Sequence, residues 1–308
     1  MERVTRAGFV AVIGAPNAGK STLVNALVGS KVSIVTHKVQ TTRMQVRGVA
    51  IAGDAQIVFV DTPGIFAPKR RLDRAMVKSA WAGAGDADAV LAMVDAPDVA
   101  AHPNGLAARD TLSIVEGLGQ AKRKAALLLN KVDAMKPAEL LPLAERLNAD
   151  GVFERTFMIS ALKGEGLDDV MEWCSALMPK GPWLYPEDQA ADIPLRLLAA
   201  EITREKLYLR LHDELPYATS VETEKWEERK DGSVKIDQVI YVEREGQKAI
   251  VLGKGGRAVK AIGEAAREEM EEIFARRVHL FLFVKVRENW AESREHYREI
   301  GLEYPSDE

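Results

Sequence analysis

Residues Gly14 to Ser21 read GAPNAGKS. They stand between an apolar run, Phe9-Val10-Ala11-Val12-Ile13, and a helical pattern from Ser21 to Val28 that Gly29 closes. Strand, glycine-rich loop and helix, in that order, are the context of a phosphate-binding loop. Gly14 and Gly19 let the backbone curl so that successive N–H groups point inward. Those donors, together with the positive end of the following helix, suit two or three phosphates. The binding stretch runs through Gly14, Ala15, Pro16, Asn17, Ala18, Gly19, Lys20, Ser21 and Thr22. Lys20 would reach the β- and γ-phosphates, and the Ser21 hydroxyl would bind magnesium.

At 308 residues, two domains are the natural expectation. Apolar residues make up 47% and charged residues 29%, as in a soluble globular protein. The first residues read as no signal peptide, and no apolar run approaches a membrane span. Cys174 is the single cysteine, so no internal disulfide forms. It recurs with Leu167, Val170, Met171 and Leu177 at helical spacing, which makes it a core residue. Cysteine usage reads as intracellular. None of the five histidines has a metal-ligand spacing, so no zinc site is assigned. Residues 1–180 hold 22 Lys and Arg against 19 Asp and Glu, a net of +3. Residues 181–308 hold 20 against 27, a net of −7, so nucleic-acid binding there must rest on a local site.

Beyond the loop, short apolar runs each end in a polar residue. Gln56 to Val60 leads to Asp61, Ala89 to Val94 to Asp95, Ala125 to Leu129 to Asn130, and Thr156 to Ile159 to Ser160. With helices between them, they predict an α/β, doubly wound, mostly parallel sheet with its site at the strand C-termini. Asp61-Thr62-Pro63-Gly64 lies 41 residues after Lys20. Asp61 would hold magnesium through water, and the Gly64 N–H would approach a γ-phosphate. Asn130-Lys131-Val132-Asp133 selects the base. A buried Asp133 accepts both N1–H and the exocyclic amine of guanine and would be left unpaired against adenine. The Lys131 stem would cover a face of the base, and Asn130 would tie this loop to the phosphate loop. Ser160-Ala161 would give a backbone N–H to guanine O6.

These motifs make residues 7–178 resemble the translation-factor-related GTPases of the Ras-like fold, which bind GTP or GDP with Mg2+. In that likeness a threonine of Gln40-Thr41-Thr42-Arg43 closes over magnesium. Thr42 is the match, with Thr41 the alternative. The segment Thr36 to Met44 is polar and poorly periodic, as a switch loop that orders on γ-phosphate should be. Ile65 follows DTPG where Ras-like enzymes have a water-orienting glutamine, which implies slow hydrolysis or another device. Asn17 fits two roles, a turn former or, as in related GTPases, a potassium ligand.

Three prolines and a glycine between Met178 and Pro186 break the periodicity. The expected division is a GTPase domain at 1–180, a linker at 181–194 and a second domain at 195–308 that ends in a charged tail. There a helix, strands at Tyr217–Trp226 and Val234–Val242, a short helix, Gly253-Lys254-Gly255-Gly256, a helix from Arg257 and a strand at Val278–Val286 follow in order. That order resembles a KH domain of the second type, whose GxxG loop clamps single-stranded nucleotides. Gly253, Lys254, Gly255, Gly256 and Arg257 are the RNA-binding residues it implies. The acidic run Glu268-Glu269-Glu271-Glu272 reads as a solvated face. One GTPase domain followed by one such KH domain resembles the Era family of bacterial Ras-like GTPases. The resemblance implies binding to small-subunit ribosomal RNA near its 3′ end and to the 30S subunit, a role in subunit assembly, and a cytoplasmic location with peripheral contact with the cell membrane; a monomer is expected. The alternative is a GTPase switch whose second domain binds a protein partner or dimerises.

Overall fold

The computed structural model describes residues 5–38, 40–212 and 215–305, and they form two units. The first holds 5–33, 42–192 and 297–305, the second 34–38, 40–41, 193–212 and 215–296.

The first unit runs β1 (Arg6–Gly14), α1 (Lys20–Val28), β2 (Val46–Ala52), β3 (Ala55–Asp61), α2 (Arg71–Asp86), β4 (Ala89–Asp95), α3 (Ala96–Ala101), α4 (Leu106–Gln120), β5 (Ala125–Asn130), α5 (Pro137–Asn148), β6 (Phe153–Ile159), α6 (Leu167–Leu177) and β7 (Ala191–Asp192). Its sheet has the order β6-β5-β4-β1-β3-β2-β7. The strands from β6 to β3 pair in parallel, while β2 runs antiparallel to β3 and β7 antiparallel to β2. Between their polar ends, β1, β3, β4 and β5 are apolar because helices cover both faces of these strands. Leu23, Val170 and Cys174 pack on one face with Val10, Val12 and Phe59, and Ala80, Ile114 and Leu118 pack on the other with Ala11, Ile13 and Val90. Register sets the site. Asp61 lies opposite Val12, Gly14 opposite Met93, and Asp95 opposite Asn130, so the polar ends of four strands reach one edge together.

Residues expected as a linker are fastened to the edge of this sheet. Gln56 Oε1 accepts the Leu184 and Tyr185 N–H groups at 2.7 and 2.9 Å, its amide donates to the Tyr185 carbonyl at 2.8 Å, and β7 pairs with β2. Gln56 is fully buried, so its amide needs these main-chain partners.

The second unit runs α7 (Leu195–Arg210), β8 (Thr219–Glu228), β9 (Val234–Val242), α8 (Glu245–Leu252), α9 (Arg257–Phe274) and β10 (Val278–Val286). Its sheet, β10-β9-β8, pairs β10 with β9 in parallel and β8 with β9 antiparallel. Leu198, Ile202, Ala266 and Met270 of α7 and α9 cover it. The acidic run on α9 is not simply a solvated face. Glu269 pairs with Lys206, and Glu271 pairs with Arg267 and accepts the Val278 N–H at 3.0 Å. The turn from α9 into β10 brings that N–H back over the helix end, and α7 lies alongside.

Candidate nucleotide and RNA sites

The chain leaves β1 at Gly14 and enters α1 at Lys20, with Gly19 as the helix cap at φ 102°. A side chain at 19 fails on space as well as on φ, because its Cβ would stand 2.4 Å from Asn130 Nδ2. Lys20 is buried, and its ammonium donates to the Gly14 and Ala15 carbonyls at 3.1 and 3.0 Å. Burial lowers its pKa to about 8, with nearby Asp61 pulling the other way. Thr22 sits half-buried in the first turn of α1, and Asn17 is exposed with φ 62°. That left-handed backbone is by itself a reason for asparagine at 17.

Asp61, fully buried at the end of β3, gathers the hydroxyls expected for magnesium. Its Oδ2 accepts from Ser21 at 2.7 Å and from Thr42 at 3.3 Å, and the two hydroxyls are 2.9 Å apart. Its Oδ1 is buried with no hydrogen-bond partner. Burial pushes the Asp61 carboxyl up, while the Ser21 hydroxyl, the Lys20 charge and the Ser33 and Thr42 hydroxyls oppose it. A carboxylate with a bare buried oxygen beside two hydroxyls fits a hard cation with oxygen ligands. Of the two threonines, Thr42 is the one brought there. The Thr41 hydroxyl donates to the Lys38 carbonyl and meets the Thr36 hydroxyl, each at 2.6 Å.

Thr62 is buried and donates to the Val12 carbonyl at 2.7 Å, so its side chain ties β3 to β1. Pro63 is buried, and a Cβ at Gly64 would stand 3.0 to 3.2 Å from Pro16 atoms. Ile65 is buried in the core with Ala11, Ile13 and Ala80, and its N–H donates to the Gly14 carbonyl at 3.1 Å.

Asn130, 3% exposed, joins the phosphate loop to the base loop. Its Nδ2 donates to the Ala18 carbonyl at 2.8 Å, and its Oδ1 accepts the Ala161 N–H at 3.0 Å. Of the two N–H groups of Ser160-Ala161, one of which was expected to face guanine O6, that of Ala161 is engaged by Asn130 and that of Ser160 donates to the Glu165 carbonyl at 3.1 Å. Lys131, at φ 65°, pairs with Asp95, which also caps α3. Asp133 stands in a 3-10 turn at the open edge and is exposed as a residue, but its side chain is only 19% exposed, so the carboxylate is half-buried rather than sealed. The buried Ser160 hydroxyl holds its carboxyl below the usual range, and Lys163 at 3.4 Å adds to this. Neither Lys163 nor a role for Asp95 as partner of Lys131 is given by the sequence. Asp95 was legible as a polar strand end, whereas Lys163 shows no pattern of its own.

In the second unit, the GKGG loop joins α8 to α9. Gly253, Gly255 and Gly256 take φ values of 69°, 63° and 75°, which explains three glycines in four residues. Lys254 and Arg257 are exposed, and Arg257 Nε donates back to the Lys254 carbonyl at 3.2 Å. Of the apolar residues beside the loop, Val251 and Ile262 are core, while Ile250 is 60% exposed.

Fold and strand-end geometry define a P-loop GTPase domain carried on one chain with a KH domain. Family models agree: that of a 50S ribosome-binding GTPase matches residues 9–131, and that of a KH domain matches 214–291. GTPase Era of Brucella suis biovar 1 is 63% identical over 302 residues, covering 98% of this chain and 95% of its own length. The chain belongs to the Era family of GTPases. GTPase Era of Caulobacter vibrioides is 60% identical over 307 residues, covering 97% of each chain. Among solved structures, Aquifex aeolicus Era bound to GDP·AlF4− is similar at a TM-score of 0.88 and 38% identity, covering 96% of this chain and 99% of that one. So is Era in complex with MgGDPNP and nucleotides 1506–1542 of 16S ribosomal RNA, at 0.88 and 39% with the same coverage.

Proposed function

We propose that this chain is a GTP-hydrolysing switch that binds single-stranded small-subunit ribosomal RNA near its 3′ end and acts in assembly of the small subunit. The observation that carries the nucleotide half is the buried cluster of Lys20, Ser21, Thr42 and Asp61 beside the Asn130 tie. Gly14 to Thr22 would cradle the phosphates, and Gly64 would face the γ-phosphate. Asn130, Lys131, Asp133, Ser160 and Ala161 would form the base site. Magnesium would be held by Ser21, Thr42 and Asp61 and would offset charge on the β- and γ-phosphates. Ile65 is committed to the core, so this chain lacks a side chain there to orient the attacking water, and intrinsic turnover is slow. Asn17, exposed on the loop, would hold a potassium ion that supplies positive charge beside the phosphates. Turnover should then rise when potassium replaces sodium, and Asn17→Ala should abolish the difference. Equal rates in both salts would remove the potassium assignment.

The RNA half is supported by the GKGG loop at the head of α9 and by the likeness to an Era solved with 16S ribosomal RNA. Gly253 to Arg257 would clamp the backbone of unpaired nucleotides. We read the protein as a cytoplasmic monomer associated with the 30S subunit. Peripheral membrane contact would add to that, and among the described residues no helix is long and apolar enough to cross a membrane. The test is a titration of a 3′-terminal 16S fragment with the full chain and its Lys254→Asp, Gly255→Asp variant. RNA affinity should be lost and GTP affinity kept. Unchanged RNA affinity would favour a protein-binding second domain.

A further inference from the structure

The second unit includes the segment 34–41, and two consecutive residues of α7 hold both ends of it. Arg204 is 2% exposed. Its guanidinium pairs with Glu201 and donates to the main-chain carbonyls of Gln40, at 3.4 Å, and Thr41. Glu205, 3% exposed, accepts the Val35 N–H at 2.8 Å. Between these anchors the described residues form no regular secondary structure, and Gln40 has a φ of 57°. A non-glycine residue in that region needs support from its surroundings. The Arg204 bond to the Gln40 carbonyl supplies some.

Thr42 is the next residue in the chain. The Thr41 carbonyl and the Thr42 N–H share one rigid peptide plane. Fixing that carbonyl fixes the plane, and only rotations within Thr42 remain between it and the hydroxyl that faces Ser21 and Asp61. Arg204 is suited to this because its planar fork can serve Glu201 and two carbonyls at once, which a lysine cannot do.

We propose that Arg204 is a positioning residue for GTP: by holding the Gln40 and Thr41 carbonyls it sets the Thr42 hydroxyl for the magnesium that accompanies the triphosphate. This rests on Thr42 as a magnesium ligand. GDP makes no use of the γ-phosphate arrangement, so Arg204 favours the triphosphate selectively and belongs to nucleotide discrimination although it lies on the helix that opens the second unit.

The test measures affinity of the full chain for GDP and for a non-hydrolysable GTP analogue across a magnesium titration. The variants are Thr42→Ala, Arg204→Gln, Arg204→Lys and the Thr42→Ala, Arg204→Gln double. Arg204→Gln should weaken the analogue by about tenfold, the scale of one charge-assisted hydrogen bond, and raise the magnesium midpoint, with GDP affinity kept. Arg204→Lys should fall between it and the parent. The double variant should bind the analogue no more weakly than Thr42→Ala alone, because both changes remove the same contact. If Arg204→Gln does not fold, Arg204→Lys, which keeps a charge beside Glu201, carries the test. Selective loss in Thr42→Ala with none in either Arg204 variant would overturn the inference and leave the magnesium assignment standing. Additive losses, or equal weakening of GDP and analogue, would also overturn it. No loss in Thr42→Ala would instead overturn the magnesium assignment itself.

Discussion

Asn130→Ala is the sharpest perturbation of the nucleotide site, because one side chain there serves two loops. The amide donates to the Ala18 carbonyl at 2.8 Å and accepts the Ala161 N–H at 3.0 Å. Ala18 and Ala161 are buried, so neither backbone group has ready access to water once the amide is gone. A buried group left unpaired costs about 1–3 kcal/mol. The open edge at Asp133 lets water recover part of this, and we expect about 2–4 kcal/mol of lost stability for the pair of bonds. The phosphate and base loops would then be ordered by the nucleotide rather than beforehand, so GDP affinity should fall by about ten- to a hundredfold. Denaturant unfolding of the nucleotide-free protein and a GDP titration at fixed magnesium read the two effects. Asn130→Asp separates them further. It keeps an acceptor for Ala161 but sets a carboxylate against the Ala18 carbonyl, and should be no better than alanine at neutral pH. If Asn130→Ala stays within about 0.5 kcal/mol in stability and about twofold in GDP affinity, the tie does not carry the coupling assigned to it.

Asp133→Asn exchanges a double acceptor for a mixed donor and acceptor. GTP affinity should drop by roughly a hundredfold, less than a sealed site would show, and xanthosine triphosphate should gain; undiminished GTP binding would refute the base assignment. Burial lowers Lys20 to about 8, so above that pH the free protein carries a neutral amine, whereas phosphates favour the charged one. GDP affinity should hold below that point and fall by about tenfold from pH 7 to pH 9, whereas Lys20→Arg should show no matching fall. Burial pushes the Cys174 thiol up to about 12 in the core, so alkylation should follow unfolding. Rapid labelling of the native protein would place Cys174 elsewhere.

The central strands were legible because burial on both faces leaves an unbroken apolar run, as in Ala125 to Leu129. The motif residues were legible because phosphate and guanine recognition constrain residue type at fixed spacing. Legibility ended where a partner lies far along the chain. Val46 to Ala52 makes the last strand but one, and its outer partner, 191–192, lies in a stretch rich in turn signals. Gln56 looks like a polar strand start, yet its amide is the clasp for residues 184 and 185. Ser160-Ala161 reads as a backbone donor to the base because nothing in those two residues reveals that Asn130 and the Glu165 carbonyl engage their N–H groups.

Segment 34–41 is the strongest instance of that limit. Its aperiodic sequence reads as a loop. Thr36, Lys38 and Thr41 hold part of it through their own side chains, but the bonds from Arg204 and Glu205 go to main-chain groups, which its residue types do not encode. The information sits about 160 residues away, on α7, where Thr203, Arg204 and Glu205 are consecutive and all buried. Helical periodicity would place a run of three such residues partly in solvent. A charge goes under cover only with partners, and two adjacent buried charges of opposite sign point along different faces of one helix, so they need separate ones. Glu201 meets Arg204 and Lys206 meets Glu205. The donors and acceptors left over are the ones that reach the carbonyls at 40 and 41 and the N–H at 35. Buried neighbouring charges on a helix thus mark a segment elsewhere that is being held in place, and here the held segment ends one peptide bond before the threonine that faces Asp61.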